Sequence, residues 1–316
     1  MTDSSTPPRL APGTLGALPA AIARPAYDPR ALDVGIVHLG IGAFHRAHQA
    51  IYTDDAIAKA GGAWGICGVS LRSPDVRDRM RPQDGLYTAV EKSRGGVARR
   101  VIGSVREVLF LRDERARVDA RLAAPATRIV TLTVTEKGYC HDPATGRLNL
   151  GHPDIVHDIA TPDAPLSVAG LLVRALAARR ANGAGPLTVV CCDNLPHNGA
   201  VLRGIVEAFA AARDPALAAW IGDHVEFPST MVDRIVPATT AADIADNDAA
   251  LGLHDAAPVV FEPFEQWVIE DRFATPRPAW EAGCGSSARQ RAPRRSPPRR
   301  GSCPGSRSRS SSASST

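Results

Sequence analysis

Lysine is almost missing from this chain: Lys59, Lys92 and Lys137 are the only three among 37 basic residues. With alanine abundant, the bias reads as one of coding more than of function. Long apolar runs are missing too. No stretch of 18 apolar residues occurs, which excludes a membrane-spanning helix of ordinary length. The N-terminus has no basic segment followed by an apolar core, so no secretory leader is expected. Cysteine is sparse, at positions 67, 140, 191, 192, 284 and 303. Those spacings fit neither a zinc site nor a disulfide framework, and a reducing, cytoplasmic compartment is expected. Cys191 and Cys192 lie in an apolar run and read as small buried side chains.

The 316 residues are 44% apolar and 22% charged, as in a soluble globular protein with a sizeable core. Glycine at 27 and proline at 26 exceed what a helix bundle carries. The formal net charge of +4 misleads, because residues 281–316 hold eight arginines and one acid. The remainder has 29 basic and 32 acidic residues and gives no reason to expect a nucleic-acid partner.

Residues 1–30, rich in Pro, Ala and Ser, read as an arm. Residues 33–41 predict a buried strand, 45–60 a helix stopped by Gly61-Gly62, and 64–71 a second buried strand. Further strands are expected at 101–109, 128–135 and 186–192, with helices at 165–182 and 199–215. This alternation predicts an α/β fold, a Rossmann-type, mostly parallel sheet with helices on both faces. Residues 256–270 leave that pattern. Residues 281–316 contain eleven serines and no Val, Leu, Ile, Phe or Met. Such a tail is expected to be disordered. Its abrupt onset reads as a shifted reading frame; an interaction or phosphorylation segment is the alternative.

The run Gly40-Ile41-Gly42-Ala43-Phe44-His45-Arg46 ends a strand and opens a helix. Gly40 permits a tight turn, and Gly42 lets a pyrophosphate approach the backbone. Phe44, His45 and Arg46 are candidate further contacts. The third glycine of the usual fingerprint is missing, and an ordinary glycine-rich turn is the competing reading. Asp75 follows the second strand, where an acid accepts from an adenosine ribose and repels the 2′-phosphate of NADP. Arg72 nearby would act the other way. NAD is the expected cofactor, with NADP the alternative.

Six blocks carry a resemblance: GIVHLGIGAFHRAHQAIYTDD at 35–55, WGICGVSLRSPD at 64–75, TLTVTEKGYC at 131–140, CCDNLPHNG at 191–199, FPSTMVDRIVP at 227–237 and FEPFEQWVIEDRF at 261–273. Together they resemble the long-chain mannitol dehydrogenase family of polyol-specific, NAD(P)-dependent oxidoreductases. The resemblance implies a Rossmann-type domain over 31–280 and a helical C-terminal domain that this chain largely lacks. It implies hydride transfer between a polyol such as mannitol and NAD+, giving a ketose such as fructose, with no catalytic metal. Uronate reduction, arabinitol oxidation and non-catalytic dinucleotide binding are the alternatives.

Asn194 matches the family asparagine that contacts the reacting oxygen. Read without the family, it is a strand-end cap. Asp75 matches the ribose-binding acid, preceded here by Pro74. Glu136 and Asp233 match polar residues of the substrate cleft, though Asp233-Arg234 also reads as an ion pair. The family's general-base lysine lies in a K-x-x-x-L-N-G-x-H stretch that does not occur in this sequence. Lys137 is not expected to replace it. The partners implied are small polyols or ketoses, without nucleic acid or membrane, and intact relatives are expected to be monomers.

Overall fold

The computed structural model describes residues 7–283, apart from the side chains of residues 136, 137 and 283. The expectations for the arginine-rich tail therefore lie outside the described residues. In chain order the elements are β1 (Val34–Leu39), α1 (Ala43–Ala47), α2 (Gln49–Ala60), β2 (Gly65–Ser70), α3 (Asp75–Met80), β3 (Tyr87–Ser93), β4 (Gly96–Ile102) and β5 (Val105–Phe110). Then come α4 (Arg115–Ala123), β6 (Ile129–Leu132), α5 (Pro153–Ala160), α6 (Val168–Asn182), β7 (Leu187–Cys191), α7 (Asn198–Ala211), α8 (Pro215–His224) and β8 (Val225–Glu226). The last are β9 (Thr230–Asp233), α9 (Ala241–Leu251), β10 (Val259–Phe261), β11 (Gln266–Ile269) and α10 (Trp280–Gly283).

Six strands form one sheet in the order β5-β2-β1-β6-β7-β8, with every pair parallel. The chain grows outward from β1 to one side, then returns and grows outward from β6 to the other. That reversal leaves a crevice between the carboxyl ends of β1 and β6, where open α/β sheets bind ligands. Successive strand residues feed opposite faces. Val37, Leu39, Val130 and Leu132 join one core with α6 and α7; Ile36, Ile66, Ile129 and Val190 join the other with α2 and β10. Both faces are covered, so the strands are near-continuous apolar runs.

Several expected elements differ in detail. The helix expected over 45–60 is two pieces, because His48 (φ −128°, ψ −90°) breaks the turn between α1 and α2. The strand expected over 101–109 is also two. The chain leaves a β3–β4 hairpin at Ile102 and enters the main sheet at Val105. Polarity explains the miss: Arg99 and Arg100 carry β4, which sits in a separate three-stranded sheet, β10-β3-β4. Residues 256–270 supply β10 to that sheet and β11 to an antiparallel pair with β9.

The arm is docked. Leu10, Leu18 and Ile22 are buried with Leu86, Val101, Leu251 and Leu253. The Leu10 amide donates to the His254 carbonyl (2.9 Å), and the His254 amide returns a bond to the Pro8 carbonyl (2.8 Å). No helix among the described residues is long and apolar enough to cross a membrane.

Candidate functional site

Gly40 ends β1 in a conformation that requires glycine. Its φ is +97°, and a Cβ there would lie 2.2 Å from the Thr133 carbonyl oxygen. Gly42 is different. Its φ is in the ordinary range, and a Cβ would meet nothing closer than the Gly40 carbonyl at 3.8 Å. The chain's own packing therefore does not demand glycine at 42, and its missing side chain leaves open space at the mouth of the crevice. A dinucleotide pyrophosphate needs such an approach to the backbone. The residues present fit that group.

The glycine turn rests on histidine. The buried His38 ring lies 2.7 Å from Thr131 Oγ1 through Nδ1, and 3.1 Å from Thr133 Oγ1 through Nε2. His45 stacks on it at 3.4 Å. Burial pushes the His38 imidazole down to about 3 and drives His45 well below its ordinary value. Both are neutral rings near neutral pH.

The side chains of His45 and Arg46, expected as further contacts, are both buried. His45 is 1% exposed and packs inward. The buried Arg46 guanidinium donates to the Ala257 carbonyl and lies over the Tyr87 ring, so it is spent inside the core. Phe44 is half-buried and stacks on His48 at 5.2 Å. With α1 only five residues long, a helix field adds little at this turn. The glycine backbone and the space over it are what the turn offers.

Asp75 is exposed at the first position of α3, beyond the carboxyl end of β2. Its side chain makes no hydrogen bond among the described residues. Across the switch point, Asn194 is exposed in the loop after β7, and its amide likewise has no partner among them. Asn194 is therefore not the strand-end cap. That work is done by Asn198, fully buried, which donates to the Asp193 and Thr230 carbonyls and accepts from the Thr230 amide (2.9 Å). Glu136 opens the turn 136–139 beyond β6, and its side chain lies outside the described residues.

Asp233 closes β9 and is exposed. It is not the partner of Arg234. The Arg234 guanidinium is buried, pairs with Glu265 (2.9 Å), donates to the Ala47 carbonyl and lies 4.1 Å over the Phe261 ring. Asp193 went unnoticed in the sequence, although it sits inside the block that supplied Asn194. Its carboxylate accepts from the Val134 amide (3.0 Å), the Thr135 amide (3.3 Å) and the Tyr139 hydroxyl.

Two other features compete for attention. A polar cavity of about 490 Å³ opens beside Asp33 and Arg106, at the opposite, amino-terminal edge of the strands. Its arginines are taken up by acids: Arg106 by Asp84, Arg121 and Arg117 by Glu107, and Arg81 by Glu114. Cys140, His152 and Asp154 bring ligand atoms within 4.8 Å of one another. His152 Nδ1 there accepts from the Asp154 amide (3.2 Å) as the cap of α5, so helix capping accounts for the cluster.

The crevice, the strand order and the glycine turn match a known domain. Residues 34–282 fit the family model of the mannitol dehydrogenase Rossmann domain. The chain belongs to the mannitol dehydrogenase family. It is similar to an uncharacterised oxidoreductase of Escherichia coli, YeiQ, at 48% identity over 84% of this chain and 54% of the relative. It is similar to the D-mannonate oxidoreductase of the same organism at 46% identity, over 82% of this chain and 54% of that protein. The mannitol 2-dehydrogenase of Pseudomonas fluorescens, solved as a ternary complex with NAD and D-mannitol, superposes with a TM-score of 0.82 at 46% identity. That match covers 86% of this chain and 56% of the other. This mannitol dehydrogenase family chain thus spans about half the length of the curated relatives it matches.

Proposed function

We propose that this chain is the dinucleotide-binding half of an NAD-dependent dehydrogenase that interconverts a polyol or sugar acid and the corresponding keto sugar. The observation that carries the reading is the open space over Gly42, beside the obligatory glycine at 40, at the switch point of a parallel sheet. NAD+, when bound, supplies the hydride acceptor. The glycine turn would receive the pyrophosphate. The Asp75 carboxylate would accept from the adenosine ribose hydroxyls and repel a 2′-phosphate, which favours NAD over NADP.

Beyond β6 and β7 the chain contributes polar groups toward the substrate side. The Asn194 amide is free to donate to the oxygen of the reacting carbon, whose negative charge grows as its proton leaves. Glu136 and Asp233 are the remaining candidates for holding substrate hydroxyls. The Pseudomonas complex holds D-mannitol, and an Escherichia coli relative is named for D-mannonate. Both are open-chain polyhydroxy compounds with a secondary alcohol, and that common chemistry defines the proposed substrate class.

Calorimetric titration of the chain with NAD+ and NADH tests the reading. Binding is expected for wild type, with an affinity loss of about tenfold or more in Gly42→Val, whose side chain occupies the pyrophosphate's space. Circular dichroism should show the variant folded. Absence of binding by wild type would remove the reading.

A further inference from the structure

We propose that Asp193 is a positioning residue, whose carboxylate clasps the exits of β6 and β7 and so shapes the nicotinamide half of the crevice. The inference rests on the dinucleotide reading and deepens it. In a doubly wound sheet the first three strands serve the adenosine half of the ligand and the next three the other half. Asp193 belongs to that second half. It lies two residues past the end of β7, yet all three of its side-chain partners lie on the exit of β6: the amides of Val134 and Thr135 and the hydroxyl of Tyr139.

The backbone around the clasp is held in unusual shapes. Four non-glycine residues among those described have positive φ, and three of them, Thr135, Cys140 and His197, flank Asp193. Thr135 is the most telling. A β-branched residue at φ +68° and ψ 154° is costly and persists only when its surroundings impose it. Its amide is bonded to Asp193 Oδ1, and the next residue is Glu136. On the other side, Asp193 is followed directly by Asn194. One carboxylate thus sets the spacing between two candidate substrate contacts.

Tyr139 completes the clasp. The ring is 1% exposed, and its oxygen lies 2.9 Å from Cys191 Sγ on β7. Burial, reinforced by Cys191 and Asp193, drives its hydroxyl far above the ordinary phenol range, so it stays a donor. An amide in place of the carboxylate would turn one oxygen into a donor facing other donors.

NADH and ADP-ribose separate this role from a general structural one, because ADP-ribose carries every part of the ligand except the nicotinamide. In the full chain, Asp193→Asn is expected to weaken NADH by about tenfold and to leave ADP-ribose within about twofold of wild type. Emission from the bound nicotinamide should fall with it. Tyr139→Phe removes one donor, keeps the ring and should give a smaller loss in the same direction; it decides the matter if Asp193→Asn does not fold. Equal losses for the two ligands, or unchanged NADH affinity, overturn the clasp alone. Wild type that binds neither ligand overturns the dinucleotide reading and the clasp with it.

Discussion

His38 and His45 stack with ring centroids 3.4 Å apart and planes 14° from parallel. His38 Nε2 lies 3.3 Å from the carbonyl of Gly40, so the pair braces the glycine turn. Gln49 lies close enough to His45 to favour its proton weakly, yet among the described residues neither ring nitrogen of His45 has a well-formed hydrogen bond. A proton on either ring would face a buried neighbour.

Acid should therefore loosen the fold. Burial lowers His38 to about 3 and His48 to about 4, and lowers His45 as well. Folded values below unfolded ones mean that the unfolded chain binds more protons as pH falls through about 6.5. The stability these rings leave intact above that pH is lost below it, by about 1.4 kcal/mol per pH unit for each ring. Asp54 and Asp255, raised by burial, work in the opposite sense at lower pH. His45→Phe keeps the stack without a titrating group. Urea unfolding between pH 7 and 5 should show its slope with pH shallower than wild type by about one proton.

The two glycines of the turn should respond very unequally to one methyl group. Gly40→Ala places a Cβ 2.2 Å from the Thr133 oxygen at positive φ and should cost about 3 kcal/mol or more. Gly42→Ala meets only the Gly40 carbonyl at an ordinary van der Waals distance of 3.8 Å and should cost about 1 kcal/mol or less. Thermal unfolding of the two variants measures the contrast directly.

Asp75 should govern cofactor choice. Its carboxylate is exposed and engages no described residue, so replacing it changes little in the fold. Asp75→Ser is expected to weaken NAD+ and relieve repulsion of NADP+, raising the NADP+/NAD+ affinity ratio by about tenfold. Parallel titrations of both cofactors give the ratio.

Arg234 ties β9 and the segment before β11 to the end of α1 through Glu265, Phe261 and the Ala47 carbonyl. Its side chain is 3% exposed and that of Glu265 is 23%. Arg234→Ala strands a half-buried carboxylate and should destabilise the chain by about 3 kcal/mol. Arg234→Ala combined with Glu265→Gln should recover part of that loss in a double-mutant cycle.

The parallel sheet was legible because strands buried on both faces leave continuous apolar runs, as in Leu187–Cys191, where every residue is buried. The turn at Gly40 and Gly42 was legible because its chemistry is local. The break at His48 was not: it depends on a ring bonded to the Gln266 carbonyl, far along the chain. The β3–β4 hairpin was hidden because β4 is half-exposed and carries arginines whose acids, Asp55 and Asp246, come from α2 and α9. Asp233-Arg234 looked like a pair because neighbours in sequence are easy to see. Asp233 ends β9 and Arg234 lies just past it, and the actual partner, Glu265, comes from the segment before β11. Asp193 escaped because nothing in a sequence shows two strand exits converging on one carboxylate.

The docked arm sets a timetable for synthesis. Residues 8–10 bond to His254, about 240 residues later. At ordinary elongation rates the arm leaves the ribosome about ten to fifty seconds before its partner exists. Leu10, Leu18 and Ile22 must wait through that interval without their complete apolar seat, which needs Leu251 and Leu253. A segment made about 240 residues earlier is thus among the last to be secured, and a nascent chain halted before residue 251 would display it to chaperones and proteases.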